Sequence, residues 1–369
     1  MSVDDNVVDT RRKAVIRTSD RALFKRCRRK WAWGSGLRHN LRIKDTPSYF
    51  WIGTGGHFAL EDWHGYNHFG HPVEAFNAYT TACQEYNRIH GHGLPDDWKE
   101  QSELGQAILE YYLIWAQTRE HHETVWIDGC PQVEIKCEIE LPVEPPPGFD
   151  VVVYQLTLDR LVEIDGEFWI TDYKFYKQMS QADLDFDQQM SAYIWGAQTI
   201  FEKPIAGAIL HELIKKVPQE PRILSNGKIS HAANQSTTHR LYREALVHMY
   251  GDVEKAPAQN IKCLNDLAHQ EGPERDNYIR RSKTRRTEMQ MRSQGTKILM
   301  EAEDMCNPDL PLYTNETRDC SWDCSLRDIC IMVDRDDNWE DLLLELTVSD
   351  TEEKSSWRDS LVLPQQNLL

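Results

Sequence analysis

Residues 157–193 read TLDRLVEIDGEFWITDYKFYKQMSQADLDFDQQMSAY, and this stretch decides the fold. It opens inside an apolar, β-branched run that begins at Val151, and a second apolar run, EFWIT, follows the dipeptide Asp165-Gly166. An Asp-Gly pair between two such runs favours a tight turn in which both residues have positive φ. The sequence therefore predicts two antiparallel strands joined by a short turn.

Each strand of this hairpin carries an aspartate, and the second also carries a lysine. The turn brings Asp159 and Asp172 to neighbouring positions, and Lys174 follows two residues after Asp172. Because side chains alternate along a strand, Asp172 and Lys174 are expected on one face. Two carboxylates and a lysine on one face suit a hard divalent cation and the water that it activates. The alternative is a solvated acid–lysine pair at a strand end, which is common.

The order of these residues resembles the PD-(D/E)XK nuclease superfamily and, within it, the RecB-like exonucleases. Three motifs carry the resemblance: residues 158–160 (LDR), 172–174 (DYK) and 189–193 (QMSAY). The family's usual glycine before the first aspartate is replaced here by Leu156. The resemblance implies an α/β fold with a restriction-endonuclease-like mixed sheet in the order α-β-β-β-α-β, flanked by helices. It also implies an inserted N-terminal helical lobe and a C-terminal iron–sulfur segment.

The resemblance assigns roles at the site itself. The RecB-like branch places a G-x-x-x-H motif early in the chain, and Gly53 with His57 matches it; His57 is expected to be the first residue of a helix that leaves a glycine turn. The implied ligands of Mg²⁺ or Mn²⁺ are the side chains of His57, Asp159 and Asp172 and the carbonyl of Tyr173. Lys174 is implied to position the attacking water and to support charge on the phosphate.

Three further residues are implied in or around the catalytic centre. An early strand of the family carries a glutamate, for which Glu134 is the first choice and Glu138 the second, although alternating glutamates on an antiparallel strand are ordinarily solvent-facing. Gln189 and Tyr193 lie four residues apart on one helical face. The family uses that pair to contact DNA or to order the catalytic residues, and a plain contact between the two side chains is the alternative.

Nine cysteines include a C-terminal trio, Cys320, Cys324 and Cys330, spaced C-x3-C-x5-C. Three thiolates do not complete a tetrahedral site, so a distant fourth is needed. Cys27 is the candidate, and Cys306 is a substitute. The arrangement of one early and three late cysteines resembles that of the iron–sulfur nucleases of the AddB and CRISPR-associated type and related phage proteins. This implies a 4Fe–4S cluster with a structural role, with zinc as the competing metal.

The charge distribution is uneven. The net charge of −17 over 369 residues counts against a generic nucleic-acid binder. However, acid accumulates after Cys330, and basic residues cluster at 21–42 and 280–292. Apolar spacing predicts one basic helix from residue 18 through residue 31, and the run 280–286 is either a solvated helix face or a clamp on backbone phosphates. No run is long enough to span a bilayer and no apolar signal core is present, which favours a cytoplasmic protein without a membrane partner.

Four regions and one function are therefore expected. The regions are 1–124 (helical, with the first cluster cysteine and the ligand histidine), 125–217 (nuclease core), 218–331 (helical, with the iron–sulfur cysteines) and 332–369 (acidic tail). The implied function is a metal-dependent exonuclease that hydrolyses phosphodiester bonds of single-stranded or free-ended DNA. Its setting is DNA recombination, repair or phage DNA metabolism, with a helicase or recombination partner. The alternatives are a non-cleaving nuclease-fold module that binds DNA or a helicase, and a scaffold built on a four-cysteine zinc site.

Overall fold

A computed structural model describes residues 10–44, 50–91, 93–119, 122–179, 183–232, 234–272, 275–335, 338–349 and 357–364. The α-helices within these residues are α1 (Thr18–Arg26), α2 (Arg28–Gly34), α3 (Phe50–His64), α4 (Pro72–His90), α5 (Trp98–Arg119), α6 (Gln188–Phe201), α7 (His239–Tyr250), α8 (Ala258–Gln270), α9 (Glu288–Cys306), α10 (Arg327–Asp334) and α11 (Trp339–Leu346). The strands are β1 (Lys13–Arg17), β2 (Leu41–Ile43), β3 (Glu123–Thr124), β4 (Trp126–Ile127), β5 (Cys130–Pro131), β6 (Val133–Leu141), β7 (Val151–Ile164), β8 (Glu167–Tyr176), β9 (Ile205–Ile214), β10 (Ile279–Thr284) and β11 (Thr347–Ser349).

A seven-stranded mixed sheet forms the centre of the fold. Strands β1, β7, β8, β9 and β10 follow one another across it, and β3 and β6 also pair with β7. β6, β7 and β8 run antiparallel, α6 follows, and β9 returns parallel to β8. The predicted succession of three strands, a helix and a fourth strand is therefore present. β1, which pairs parallel with β7, was not predicted.

The turn between β7 and β8 has the geometry that its sequence predicts. Asp165 and Gly166 have φ angles of 52° and 80°, so both residues have a left-handed backbone conformation. This conformation matches the twist of the flanking strands, and glycine and aspartate tolerate it. The strands then pair from Ile164–Glu167 to Arg160–Thr171, which makes Asp159 and Asp172 the next residues on each strand.

Beyond those pairs the sheet opens between β7 and β8. β8 continues beside β9 as far as Tyr176, whereas the first part of β7 (151–155) pairs with β1. β6 pairs with β7 along 152–160, so β6 occupies the opposite edge of β7 from both β1 and β8. Residues 156–159 therefore have no strand neighbour on the β1–β8 edge within the described chain. This gap in the sheet lies directly beside the two aspartates.

Apolar layers cover both faces of the sheet. On one face, side chains of β7 and β8 such as Leu158 and Ile170 pack against α6 and α9. On the other face, Tyr173 and Leu213 pack against α3, α4 and α5. Ile170 and Tyr173 are three residues apart on β8, so their side chains point to opposite faces. This alternation is expected of a strand that is buried on both sides.

The predicted helix through residue 31 is divided into α1 and α2. Cys27 separates them, with extended backbone angles (φ −161°, ψ 110°). The prediction of one continuous helix was wrong. The spacing of apolar residues does not reveal a single residue whose backbone is extended. The break leaves the Cys27 side chain half-buried at the junction rather than on the apolar face of a helix.

The C-terminal part of the chain returns to the N-terminal part. β11 pairs antiparallel with β2, and α10 and α11 pack against Trp33 through Ile329 and Leu343. α11 lies within the acidic tail, and residues 336–337, 350–356 and 365–369 of the tail lie outside the described residues. Among the described helices, none combines the length and the apolar character needed to cross a bilayer.

Candidate active site

Asp159 lies where β7 and β8 separate, and its carboxylate bridges the gap. Its Oδ2 accepts a hydrogen bond from the backbone N–H of Tyr173 (2.7 Å) and lies 3.3 Å from Nδ1 of His57. Burial favours the neutral acid, but the positive charges of His57 and Lys174 outweigh it and lower the pKa of Asp159 below its usual range. Asp159 is therefore an ionised carboxylate at the mouth of the gap.

His57 reaches this carboxylate from α3. The helix begins at Phe50, so the glycines of segment 53–56 lie inside it, and the prediction that His57 begins a helix after a glycine turn was wrong. A Cβ on Gly56 would lie 2.2 Å from the ring of Phe175 on β8. The glycine therefore lets the helix backbone approach the sheet closely. This close approach brings the imidazole to Asp159.

Glu134 belongs to the same group of side chains. One ligand atom each from His57, Glu134 and Asp159 lie within 4.8 Å of one another, and no other set of three His, Cys, Asp or Glu ligands in the described residues is as compact. Nδ1 of His57 is 3.7 Å from Oε1 of Glu134. The second choice, Glu138, instead forms an ion pair with Lys13 at 2.8 Å.

The backbone of Glu134 is strained. Its φ is 45°, although it is a non-glycine residue within β6. The flanking pairs Val133–Arg160 and Ile135–Leu158 set it opposite Asp159 in the register. A left-handed residue inside a strand costs free energy and persists only where its surroundings impose it, often at functional sites. No feature of the sequence signals this distortion.

Asp172 and Lys174 share a face, as the alternation predicts. Nζ of Lys174 donates a hydrogen bond to Oδ1 of Asp172 at 3.0 Å. Asp172 is fully buried, and its Oδ2 has no hydrogen-bond partner in the described structure. Burial raises the pKa of Asp172 to about 6; Lys174 opposes this rise and Asp159 adds to it. Asp172 stands beside the compact group of three rather than within it.

The surrounding carboxylates hold His57 and Lys174 as cations. Burial favours the neutral imidazole, but Asp159 and Glu134 outweigh it and raise the pKa of His57 to about 10. For Lys174, Asp172 and Asp159 likewise outweigh burial, and its pKa lies well above the usual range. Because a histidine must be neutral to coordinate a metal, a bound cation would displace the imidazole proton.

Gln189 and Tyr193 approach the site from α6. The side chain of Asp187 caps this helix by accepting hydrogen bonds from the N–H groups of Gln189 and Met190. Nε2 of Gln189 donates to the hydroxyl of Tyr193 at 2.6 Å, which is the plain contact that the spacing allows. Burial raises the pKa of Tyr193, and the nearby charges of Asp172 and Asp159 raise it further, so the pair also borders the carboxylates.

The basic run 280–286 forms β10 and the loop after it, rather than a helix face. In the register, Lys174 lies beside Glu212 on β9, and Glu212 lies beside Arg280 on β10. Side chains directly opposite one another point to the same face. Glu212 is fully buried, and its Oε2 accepts a hydrogen bond from Nε of Arg280 at 2.5 Å. The Arg280–Glu212 ion pair therefore lies on the face that carries Lys174.

Glu212 was not among the predicted site residues, and Arg280 was predicted only as part of the basic run 280–286. A signal for Glu212 was present, since it is an acidic residue inside the apolar strand IAGAILHELI. The other basic residues of the run point elsewhere. Arg281 is buried over the ring of Trp115 on the opposite face, and Arg286 donates hydrogen bonds to Ser191 and to backbone carbonyls. Because side chains alternate between the two faces of β10, only some basic residues of the run lie on the face of the candidate site.

A family model of the PD-(D/E)XK nuclease superfamily matches residues 18–331. The chain belongs to the PD-(D/E)XK nuclease superfamily. Its central mixed sheet is consistent with the restriction-endonuclease-like fold, and membership implies a nuclease that binds DNA and uses divalent metals such as Mg²⁺ or Mn²⁺. Comparison with curated proteins finds none that matches the chain.

The side chains of this PD-(D/E)XK nuclease fit a divalent metal. An imidazole nitrogen and carboxylate oxygens form the compact group, and these are ligands that Mn²⁺ and Mg²⁺ accept. The buried Oδ2 of Asp172 has an unused acceptor beside them. Buried polar atoms without partners are rare, and a cation at this position would satisfy it.

Proposed function

We propose that this PD-(D/E)XK nuclease is a RecB-like, metal-dependent DNA exonuclease of the iron–sulfur type that acts on single-stranded or free-ended DNA. The observation that carries the proposal is the compact group of His57, Glu134 and Asp159 beside the Asp172–Lys174 pair. The order of the motifs supports the RecB-like assignment. By the same resemblance, the enzyme works with a helicase or recombination partner in DNA recombination, repair or phage DNA metabolism, and we place it in the cytoplasm.

The ligands would come from α3 and from three strands of the sheet. They are His57, Glu134, Asp159 and Asp172, with the carbonyl of Tyr173 as a further oxygen. When bound, Mg²⁺ or Mn²⁺ supplies an activated water and offsets charge on the phosphate and the leaving oxygen. Lys174 is held in place by its hydrogen bond to Asp172, and by the resemblance its ammonium would position that water and support charge on the phosphate. Because its pKa is raised, Lys174 donates hydrogen bonds and does not act as a base.

A cleavage assay on end-labelled strands tests the proposal. The purified protein should shorten linear single-stranded DNA progressively from an end in the presence of Mg²⁺ or Mn²⁺, and EDTA should stop the reaction. A covalently closed single-stranded circle of the same sequence is the matched control and should remain intact. Cutting of the circle would contradict the exonuclease assignment. Tight binding of linear DNA without any cleavage would instead identify a non-cleaving module.

Contacts between the two ends of the chain support the proposed 4Fe–4S cluster. Burial raises the pKa of Cys330 to about 11; Arg29 opposes the rise, and Cys324 and Cys27 add to it, so these three sulfurs are electrostatic neighbours. Arg26, next to Cys27, forms an ion pair with Asp323 at 2.7 Å. The late cysteine segment is therefore docked on the junction of α1 and α2.

Zinc and a 4Fe–4S cluster differ in the spacing that they require between their sulfur ligands. In a tetrahedral zinc site with Zn–S bonds of about 2.3 Å, the sulfurs lie about 3.8 Å apart. No three cysteine sulfurs among the described residues lie within 4.8 Å of one another. A 4Fe–4S cluster occupies the space between its ligands and requires wider spacing. The proposed ligands are Cys27, Cys320, Cys324 and Cys330, with Cys306 buried in the sheet core instead.

Replacing Cys324 with serine is expected to remove most of the bound iron. The cluster would lose one of four thiolates, and the docked C-terminal segment would lose its attachment to Cys27. Iron and acid-labile sulfide per protein, measured after anaerobic purification, check this result. Cys130→Ser is the matched control, because Cys130 is exposed and lies apart from this segment. Equal iron content in Cys324→Ser and in the wild type would exclude Cys324 as a ligand.

A further inference from the structure

A cavity of about 900 Å³ lies beside the candidate active site, along the part of β7 that has no strand neighbour on the β1–β8 edge. α1, the first turn of α6 and residues 155–157 of β7 line it. Thr157 lies two residues before Asp159, which is about 7 Å along a strand. At its other side, Gln189 and Tyr193 connect the cavity to the carboxylates.

Basic residues dominate the lining of the cavity. Arg17, Arg21, Lys25 and Arg26 line it; Arg17 pairs with Asp20 at 4.0 Å and Arg26 with Asp323 at 2.7 Å, so the excess positive charge lies at Arg21 and Lys25. Arg21 and Lys25 share one carboxylate, Glu301, at 2.6 and 3.3 Å, so one of these two positive charges is not neutralised. The N-terminus of α1 lies at the same wall, where Thr18 and Ser19 line the cavity, and its dipole also favours an anion.

Arg21 is an unusual residue for the wall of a cavity. It is only 2% exposed, and its Nε and Nη1 donate to Glu301 and to the hydroxyl of Tyr154. Its Nη2 is buried without a hydrogen-bond partner in the described residues. Leaving a buried charged donor unsatisfied is costly, and a guanidinium is well suited to binding phosphate oxygens.

We propose that this cavity is a phosphate subsite, which binds a phosphate group of a single nucleic-acid strand next to the bond that is cut. A cavity of this size accommodates a ligand of one or two nucleotides rather than a duplex. The inference rests on the proposed nuclease function, since the metal site supplies the position of the scissile bond. The bound phosphate fixes the register of the strand, so the subsite contributes to binding rather than to the chemical step.

The double variant Arg17→Gln/Lys25→Gln tests the subsite. Affinity for a short fluorescent single-stranded oligonucleotide, measured with Ca²⁺ in place of Mg²⁺ to limit cleavage, should fall about 10-fold. The slope of log affinity against log salt should decrease by about 0.7, because the subsite binds one phosphate and each phosphate contact contributes about 0.7 for a single strand. In Mg²⁺, KM should rise by a similar factor while kcat stays within about 2-fold of the wild type.

A matched control removes two arginines that lie elsewhere. Arg88 and Arg292 are each 71% exposed and pair with acids on their own helices, so Arg88→Gln/Arg292→Gln should bind like the wild type. Thr157→Glu is a second test, because it adds a negative charge to the β7 wall, and it should weaken binding in the same direction. Thermal unfolding shows whether each variant is folded.

The outcomes separate the subsite from the nuclease function. Wild-type affinity, salt slope and KM in both the double variant and Thr157→Glu, with cleavage intact, would overturn the subsite alone. Binding by the wild type without cleavage, weakened by the same variants, would support the subsite and overturn the nuclease function. Strands with and without a terminal phosphate identify the group bound: a loss confined to the phosphorylated strand indicates an end phosphate, and an equal loss indicates a backbone phosphate.

Discussion

Replacing Asp172 with asparagine is expected to lower the rate of Mg²⁺-dependent cleavage by about 10³-fold or more. The substitution preserves the shape of the side chain but removes the negative charge that would face the cation. It also removes the carboxylate that holds the ammonium of Lys174 at 3.0 Å. Single-turnover cleavage of a labelled strand measures the loss, and Mn²⁺ titration should show weaker metal binding.

Asp165→Asn is the matched control for this variant. Asp165 belongs to the same hairpin, and asparagine tolerates its left-handed φ of 52°. The control removes one carboxylate from the same pair of strands but leaves the metal site intact, so cleavage should stay at the wild-type rate. Retained activity in Asp172→Asn would show that the proposed metal site is misplaced.

The same variant has a readout in stability that does not depend on cleavage. The pKa of Asp172 is raised to about 6 from an ordinary value of 3.8, so between these values the folded metal-free protein binds more protons than the unfolded chain. Stability from this group is therefore lost as pH rises through that window. Asp172→Asn lacks this titration. In metal-free buffer, the melting temperature of Asp172→Asn relative to that of the wild type should therefore increase from pH 4 to pH 7.

Local sequence rules predicted the part of the site that lies on the hairpin. The turn at Asp165-Gly166 fixes the register of β7 and β8, and the register alone brings Asp159 beside Asp172. Alternation then sets Lys174 on the face of Asp172. These relations depend on residues close in sequence, so patterns of composition and spacing are sufficient to find them.

Relations between distant segments were not accessible in the same way. The glycine at 56 looks like a turn residue, and only the ring of Phe175 explains its place inside α3. The left-handed Glu134 lies opposite Asp159, which belongs to a strand distant in sequence. The pairing of Arg280 with the buried Glu212 requires β10 to join the sheet after a long helical excursion. Each of these features arises from tertiary contacts, which no local pattern encodes.

Replacing Lys174 with alanine is expected to lower cleavage by about 10²- to 10³-fold, the loss typical of removing one charged donor from the transition state. Because its pKa lies well above the usual range, Lys174 stays protonated across the working range of pH. Its contribution is therefore a fixed positive charge. Lys174→Arg should recover part of the rate, whereas Lys136→Ala, the control at an exposed lysine of β6, should retain it fully.

Metal binding distinguishes the roles of Lys174 and Asp172. Removing the ammonium takes away a cation that competes for the Asp172 carboxylate, so Lys174→Ala should bind Mn²⁺ at least as tightly as the wild type while cleaving slowly. Asp172→Asn should bind Mn²⁺ more weakly and also cleave slowly. The thermal stabilisation produced by Mn²⁺ in each variant measures this contrast. A loss of Mn²⁺ binding in folded Lys174→Ala would mean that the lysine organises the ligands instead of acting on the water and phosphate.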